Sequence, residues 1–157
     1  MKFQWKALAM SLAVSLGTGF LSSLLTPNIQ EEYAQLYQPP LAPPGWVFPV
    51  VWTVLFLLMG LAAFVVYDAN APMEEKKQAL ILYGVQLLFN LGWSVLFFRW
   101  NAYLPAFLWL IILWFFVFLL VKKFGAIDEL AGNLMIPYLL WLTFAAYLNL
   151  SIALYYL

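Results

Sequence analysis

The sequence predicts an all-α integral membrane protein, a bundle of five transmembrane helices with a long proline-rich loop between the first two. Three observations carry that prediction. Of 157 residues, 66% are hydrophobic and only 9% are charged, against about 45–50% and about 25% in soluble domains. A chain of this length has too little interior to hide so much apolar surface from water, so lipid must solvate much of it. Five apolar stretches approach or reach the roughly 20 residues that cross a bilayer core. Basic residues, finally, fall on alternate sides of those stretches.

The spans read as 5–25, 46–67, 78–98, 102–121 and 133–157, within one domain covering 1–157. The first follows Lys2 and Lys6, as a signal peptide would. Its apolar run exceeds the usual h-region of about 7–15 residues, and no A-x-A-like site follows, so a retained helix is expected. Lys2, Lys6, Lys76, Lys77, Lys122 and Lys123 share one side, and Arg99 alone lies on the other. The positive-inside rule then puts the N-terminus in the cytoplasm and the C-terminus outside.

The connections differ in kind. Asp68–Lys77 and Lys122–Gly132 read as short polar loops, and Arg99–Asn101 as a tight turn. The 26–45 loop carries Pro27, Pro39, Pro40, Pro43 and Pro44. A long connection in a compact domain tends to be a lid or binding loop, and Tyr33, Leu36 and Tyr37 have the spacing of one apolar face of a short helix. An extended surface linker is the alternative. It leaves two tyrosines and two leucines without a use, so a lid is expected.

Zero net charge gives no reason to expect a nucleic-acid partner. Without cysteine or histidine the chain has no disulfides, thiol chemistry, zinc site or histidine ligand for haem iron. No metal is expected and no cofactor is required.

Polar groups are costly in lipid and usually face the bundle interior. On the third span Gln86, Asn90, Trp93, Ser94 and Phe97 share one stripe, and on the fifth Trp141, Ala145 and Asn149 do. Trp52, Phe56 and Met59 or Gly60 line a face of the second span, and Ser11, Ser15, Thr18 and Ser22 a small polar stripe of the first. The fourth span shows no such face and is expected at the lipid-facing periphery, with Trp109 and Trp114 as lipid-facing bulk. At 1.5 Å per residue, Trp52 lies about 9 Å, and Asn90 and Asn149 each about 12 Å, below the outer helix ends. Aromatic walls with few polar groups suit a flat, largely apolar ligand. Hydrogen bonds between helices, at roughly 0.6 kcal/mol each, account for Gln86, Asn90 and Asn149 at least as well as ligand contact does. Trp5 and Trp100 read as an aromatic belt at the membrane boundary, where Trp46 also falls. Trp52, Trp93 and Trp141 lie too deep for a belt.

Three segments resemble motifs of the TspO (translocator protein, tryptophan-rich sensory protein) family. They are YAQLYQPPLAPPGWVFPVVW from Tyr33 to Trp52, QLLFNLGWSVLFF from Gln86 to Phe98, and PYLLWLTFAAYLNLSI from Pro137 to Ile152. Where many members read Phe-Gly-Pro-Val-Trp, this chain reads Phe48-Pro49-Val50-Val51-Trp52, which moves any kink by one residue. No basic residue follows Tyr147, Tyr155 or Tyr156, so the weak cholesterol motif is absent at the C-terminus. The resemblance implies a bacterial cell-membrane protein, a homodimer, and a pocket for protoporphyrin IX or a related tetrapyrrole beneath the first loop. By resemblance its ligand-binding positions are Tyr33, Trp52, Phe56, Asn90, Trp93, Trp141, Ala145 and Leu148. Some bacterial members have been reported to promote light-dependent breakdown of protoporphyrin IX through two pocket tryptophans, which match Trp52 and Trp141.

The leading expectation is a membrane receptor or sensor that binds porphyrin and moves or sequesters it. Photo-oxidative porphyrin degradation, with Trp52 and Trp141 as its catalytic residues, and a structural or assembly role both stay open. No carboxylate, histidine, cysteine or lysine falls inside the expected bundle, so acid–base and nucleophilic mechanisms lack agents. The orientation is directly testable. A Gln35→Cys variant should react with an impermeant thiol reagent on intact cells and a Gln78→Cys variant should not; the opposite pattern overturns the assignment.

Overall fold

The computed structural model describes residues 4–157; Lys2 lies outside the described residues. Helices α1 (Trp5–Leu25), α2 (Ile29–Gln35), α3 (Val47–Asp68), α4 (Met73–Ser94), α5 (Tyr103–Ile127) and α6 (Glu129–Tyr155) follow in order, α4 running on through a π-helical turn at Val95–Arg99. Five of these, all but α2, are long and apolar enough to cross a bilayer, and the described residues contain no strand. The chain is an integral membrane helical bundle. Lys6, Lys76, Lys77, Lys122 and Lys123 sit at one end of it, and Arg99, α2 and the C-terminus at the other.

Several expected boundaries move. The 26–45 connection contains a short helix, as expected, but α2 stops at Gln35, so that Tyr33 lies on it while Leu36 is extended and Tyr37 is off any helix. Residues 122–132 are helical apart from Asp128. There the chain reverses in a single extended residue, whose carboxylate accepts from Leu130 N at 2.9 Å and caps α6. Within this helix Lys122 lays its ammonium over the Phe118 ring, 5.0 Å from the centroid. α4 likewise starts at Met73, and Lys76 Nζ donates to Ala69 O at 2.9 Å, closing the α3–α4 connection. Pro49 lies in the first turn of α3, where a missing N–H costs nothing, so it ends no helix.

Packing follows a seven-residue rhythm. α5 buries Ala106, Leu110, Leu113, Val117, Leu120 and Phe124 completely. α6, its most extensively packed partner, buries Ala131, Met135, Tyr138, Leu142, Ala145, Asn149 and Ile152. Steps of four and three residues are those of a coiled-coil seam. The fourth span is thus half of the most extensive helix pair, while Leu104, Leu108, Ile112, Phe115 and Leu119 on its other face are exposed, as expected of a peripheral helix. Its tryptophans are not lipid-facing bulk: Trp109 Nε1 donates to Phe89 O at 2.7 Å, its ring stacking on Phe89 at 4.4 Å, while Trp114 Nε1 donates to Thr143 Oγ1 at 2.8 Å. Each ties α5 to a neighbour.

The polar stripe of α1 packs against α3. Ser11 Oγ donates to Gly60 O at 2.7 Å, and a Cβ on Gly60 would lie 2.7 Å from Ser15 Oγ. The Ala9, Ala13 and Gly17 side of α1 is exposed. In lipid, where apolar surface gives helices little reason to associate, such close approach supplies much of the attraction.

The α5–α6 turn depends on the same device. A Cβ on Gly132 would come within 2.7 Å of Gly125 Cα and 3.0 Å of Val121 O, both backbone atoms that cannot step aside. Gly132→Ala should therefore lower the apparent melting temperature in detergent, by an overpacking cost of about 1–3 kcal/mol. Gly84→Ala, with nothing within 4 Å, should leave it unchanged or raise it. Equal melting of the two variants contradicts the close-packed hairpin.

Candidate functional site

A cavity of about 360 Å³ lies between the outer halves of α1, α3 and α4, within the range of about 300–1,000 Å³ that holds small ligands. Trp52, Phe56, Asn90 and Trp93 form its inner wall; Gly19 and Ser22 of α1, with Thr26 just beyond that helix, form the opposite one; Ile29 and Gln30 of α2 also line it. Beside it is a second space of about 30 Å³, walled by Tyr33, Phe48, Trp141 and Ala145. Trp52 and Trp93 border both spaces. No charged side chain lines either one.

The π-helical turn shapes the outer wall. Trp100 N bonds Val95 O at 2.9 Å and Ala102 N bonds Leu96 O at 2.8 Å. The widened turn brings the consecutive residues Phe97 and Phe98 both inward, and Phe98 reaches both spaces. Such bulges recur at functional sites.

Indoles gather around Trp52. Its ring centroid lies 6.4 Å from Trp93, 6.5 Å from Trp141 with the planes perpendicular at 89°, and 6.1 Å from Tyr138. Trp93 Nε1 donates to Asn149 Oδ1 at 2.9 Å, and Asn149 Nδ2 donates to the Tyr103 carbonyl at 2.8 Å. The buried Trp141 Nε1 has no partner, an unmet donor costing about 1–3 kcal/mol in an apolar interior.

Behind the wall is a buried polar knot. Asn90 Nδ2 donates to Tyr138 Oη at 2.8 Å, Tyr138 Oη donates to Gln86 Oε1 at 2.7 Å, and Gln86 Nε2 reaches only Met59 Sδ at 3.8 Å. All three amides thus bond neighbouring helices, and Asn90 lines the cavity as well.

The cover is tied down from several sides. The buried Tyr33 donates to Pro43 O at 2.7 Å and meets Phe48 edge-on at 4.7 Å; burial pushes its phenol pKa up, keeping it a donor. Tyr147 Oη donates to Pro40 O at 2.6 Å, Tyr37 N donates to Tyr156 Oη at 3.0 Å, and the Tyr37 and Tyr155 rings stack at 4.2 Å. Leu41, at φ 70°, takes the third place of a turn closed by Ala42 N on Pro39 O, a position that ordinarily calls for glycine. Arg99 Nη1 donates to Leu25 O at 3.2 Å, so the one basic residue at this end caps α1 beside the cavity rim.

Of the eight positions expected to bind ligand, Trp52, Phe56, Asn90 and Trp93 meet at the larger cavity, and Tyr33, Trp141 and Ala145 at the smaller. Leu148 is buried but lines neither. The larger space lies between spans one, two and three, and the smaller one between the cover and spans two, three and five. Sequence reasoning missed the α1 wall, Phe48, Phe98 and Tyr138. The available signal for Tyr138 was its place one turn before Trp141; for α1 it was the hydroxyl stripe ending in Ser22.

Residues 9–155 match the TspO/MBR family. The chain is 37% identical over 153 residues to the tryptophan-rich protein TspO of Chlorobaculum tepidum, covering 97% of each chain. It is 38% identical over 149 residues to the tryptophan-rich sensory protein of Cereibacter sphaeroides, covering 95% of this chain and 90% of that one. The translocator protein of Sus scrofa is 33% identical over 148 residues, 91% of this chain and 85% of its own. With its five spans, its covered aromatic cavity and these relatives along its whole length, the chain belongs to the TspO/MBR family.

Proposed function

We propose that this protein is a membrane receptor or sensor that takes a tetrapyrrole, protoporphyrin IX, into the cavity beneath α2, and that it sequesters or moves it. The observation that carries this reading is the cavity lining around Trp52: indoles and phenyl rings, a few hydroxyls and the two amides Gln30 and Asn90, with no charge. A flat π-system gains stacking and area burial there, and loses no charged group's hydration. The ring would enter at the α1 side and reach Trp141 as the Trp52 side chain turns, joining the two spaces. The unpartnered Trp141 N–H would then meet a ring nitrogen or substituent. Arg99 at the rim suits a carboxylate left at the surface. The segment from α2 to Trp46 acts as the lid, and the lysine-rich end faces the cytoplasm. Two copies associate through the exposed Ala9, Ala13 and Gly17 side of α1, so native mass spectrometry should find a dimer across detergent ratios; a monomer at every ratio contradicts it.

A second reading, light-dependent oxidation of the bound tetrapyrrole, is favoured by one observation, the three indoles around one space. Acid–base and nucleophilic chemistry have no agent among the lining residues, so the ligand itself would absorb the light and Trp52 and Trp141 would supply electrons.

Titration of intrinsic fluorescence with protoporphyrin IX, followed by illumination of the complex, tests both. A Trp52→Phe, Trp141→Phe double variant should bind more weakly, since each aromatic contact contributes about 0.5–1.5 kcal/mol beyond area burial. If the indoles are electron donors, bleaching should fall much further than affinity does. Ala145→Thr should disturb binding through the wall of the smaller space. Unchanged affinity and bleaching in the double variant sink both the site and the oxidation.

A further inference from the structure

The rings at the cavity do not end there. Trp52 lies 6.4 Å from Trp93 between centroids; Trp93 lies 5.6 Å from Phe97, and Phe97 5.0 Å from Tyr103. Tyr103 lies 5.5 Å from Tyr156, and Tyr156 5.0 Å from Tyr155. At these spacings each ring touches the next. The file starts at a cavity wall in the outer half of the bundle and finishes on Tyr156 and Tyr155, 47% and 61% exposed at the C-terminal end. Only Phe97 cannot carry an oxidising equivalent, and there a second connection runs in parallel: Asn149 hydrogen-bonds the Trp93 indole and the Tyr103 carbonyl.

We propose that this file is a hole-transfer path, which carries an oxidising equivalent from the cavity to the protein surface and spares the cavity wall from oxidation. It rests on the tetrapyrrole reading only for the source of the oxidant, a photo-excited π-ligand in the cavity. That ligand takes one electron from Trp52 and becomes its radical anion, leaving an indole radical cation. Trp93 reduces Trp52 and becomes the radical cation in turn. Its N–H is held by an amide oxygen, a poor base, so it keeps its proton and remains a strong oxidant. Tyr103 then gives an electron to Trp93 and its phenolic proton to water at the exposed end of the bundle, where Asn101 Oδ1 lies 3.5 Å away. Tyr156 and Tyr155 pass the tyrosyl radical outward, each hop exchanging one electron and one proton. A one-electron reductant in solution quenches it at Tyr155. Tyrosine, once free to lose its proton to water, is easier to oxidise than an indole that cannot, and this gives the path its direction.

Simple aromatic packing makes a different demand. Packing needs rings, and phenylalanine supplies them; the path needs the phenols of Tyr103, Tyr155 and Tyr156. Tyr103→Phe keeps the ring and removes only a hydroxyl with one long hydrogen bond.

Laser photoionisation of the indoles in the ligand-free protein in detergent, with transient absorption following tryptophyl decay and tyrosyl growth, tests the path without any ligand. Trp5, Trp46, Trp100, Trp109 and Trp114, which lie off the path, contribute the same background in every variant. Tyrosyl yield should fall severalfold in Tyr103→Phe, with melting unchanged, and stay at the wild-type level in Tyr67→Phe at the opposite end; in the Tyr155→Phe, Tyr156→Phe double variant the yield should persist, with the radical and the resulting oxidation held at Tyr103. Peptide mapping after prolonged irradiation should find oxidation at Tyr155 and Tyr156 in the wild type and at Trp93 and Trp52 in Tyr103→Phe. Wild-type tyrosyl yield in Tyr103→Phe, or a wild-type map with oxidation held at Trp93, overturns the path. A second arm excites added protoporphyrin IX with visible light that the protein does not absorb. Transfer after photoionisation but none in this arm leaves the path standing and removes the tetrapyrrole as its oxidant.

Discussion

One phenol fixes this bundle. Tyr138 of α6 stands between Asn90 and Gln86 of α4, accepting from one amide and donating to the other. All three side chains are almost fully buried, at 0–2% exposure. In a lipid-solvated bundle an amide pulled from its partner finds no water, so the knot holds α4 in register with α6. Asn90 and Trp93 lie one turn apart on α4, and holding that register sets the inner wall of the cavity. The second tie on the same face, Trp93 to Asn149 to the Tyr103 carbonyl, extends the constraint to the outer end and to α5.

The rest of the packing supports that core without competing with it. α5 and α6 close on a seven-residue seam and on the Gly125–Gly132 contact, giving the knot a rigid back. α1 behaves differently. It buries only Ser15 completely, meets α3 closely at Ser11–Gly60, and turns its outer half toward the cavity. That wall consists of small residues and hydroxyls, whereas the opposite one is aromatic and is held by the knot. The cover is fastened mainly by Tyr147 and Tyr155 of α6 and by Tyr156 just after it, so cover and knot depend on one helix.

Much of this was legible because polarity in lipid marks an inward face. The Gln86, Asn90, Trp93, Ser94, Phe97 stripe is buried throughout, as are Ala145 and Asn149, and the first span runs over the expected 5–25. The buried seam of α5 was not legible because its buried Leu110 and Leu113 have the same chemistry as its exposed Leu104 and Leu108; where lipid and core are equally apolar, composition cannot tell them apart. Trp109 and Trp114 were misread because their partners, a backbone carbonyl and a threonine hydroxyl on other helices, leave no mark in the local sequence. The 122–132 stretch looked like a loop by polarity, but two lysines beyond a membrane boundary are good helix formers, and only Asp128 interrupts. The α1 wall was hidden because a stripe of serines serves equally for helix packing and for lining a cavity, and α1 does both.

Thermal unfolding of Tyr138→Phe in detergent, beside a Tyr138→Phe, Gln86→Met, Asn90→Leu triple variant, tests the knot most directly. The single change keeps the ring but orphans a buried donor and a buried acceptor, each costing about 1–3 kcal/mol, so its apparent melting temperature should fall by several degrees. The triple change removes the orphaned groups with the phenol and should recover most of that loss. A single variant that melts with the wild type, or a triple variant that melts below the single one, would contradict the account of how α4 and α6 are held.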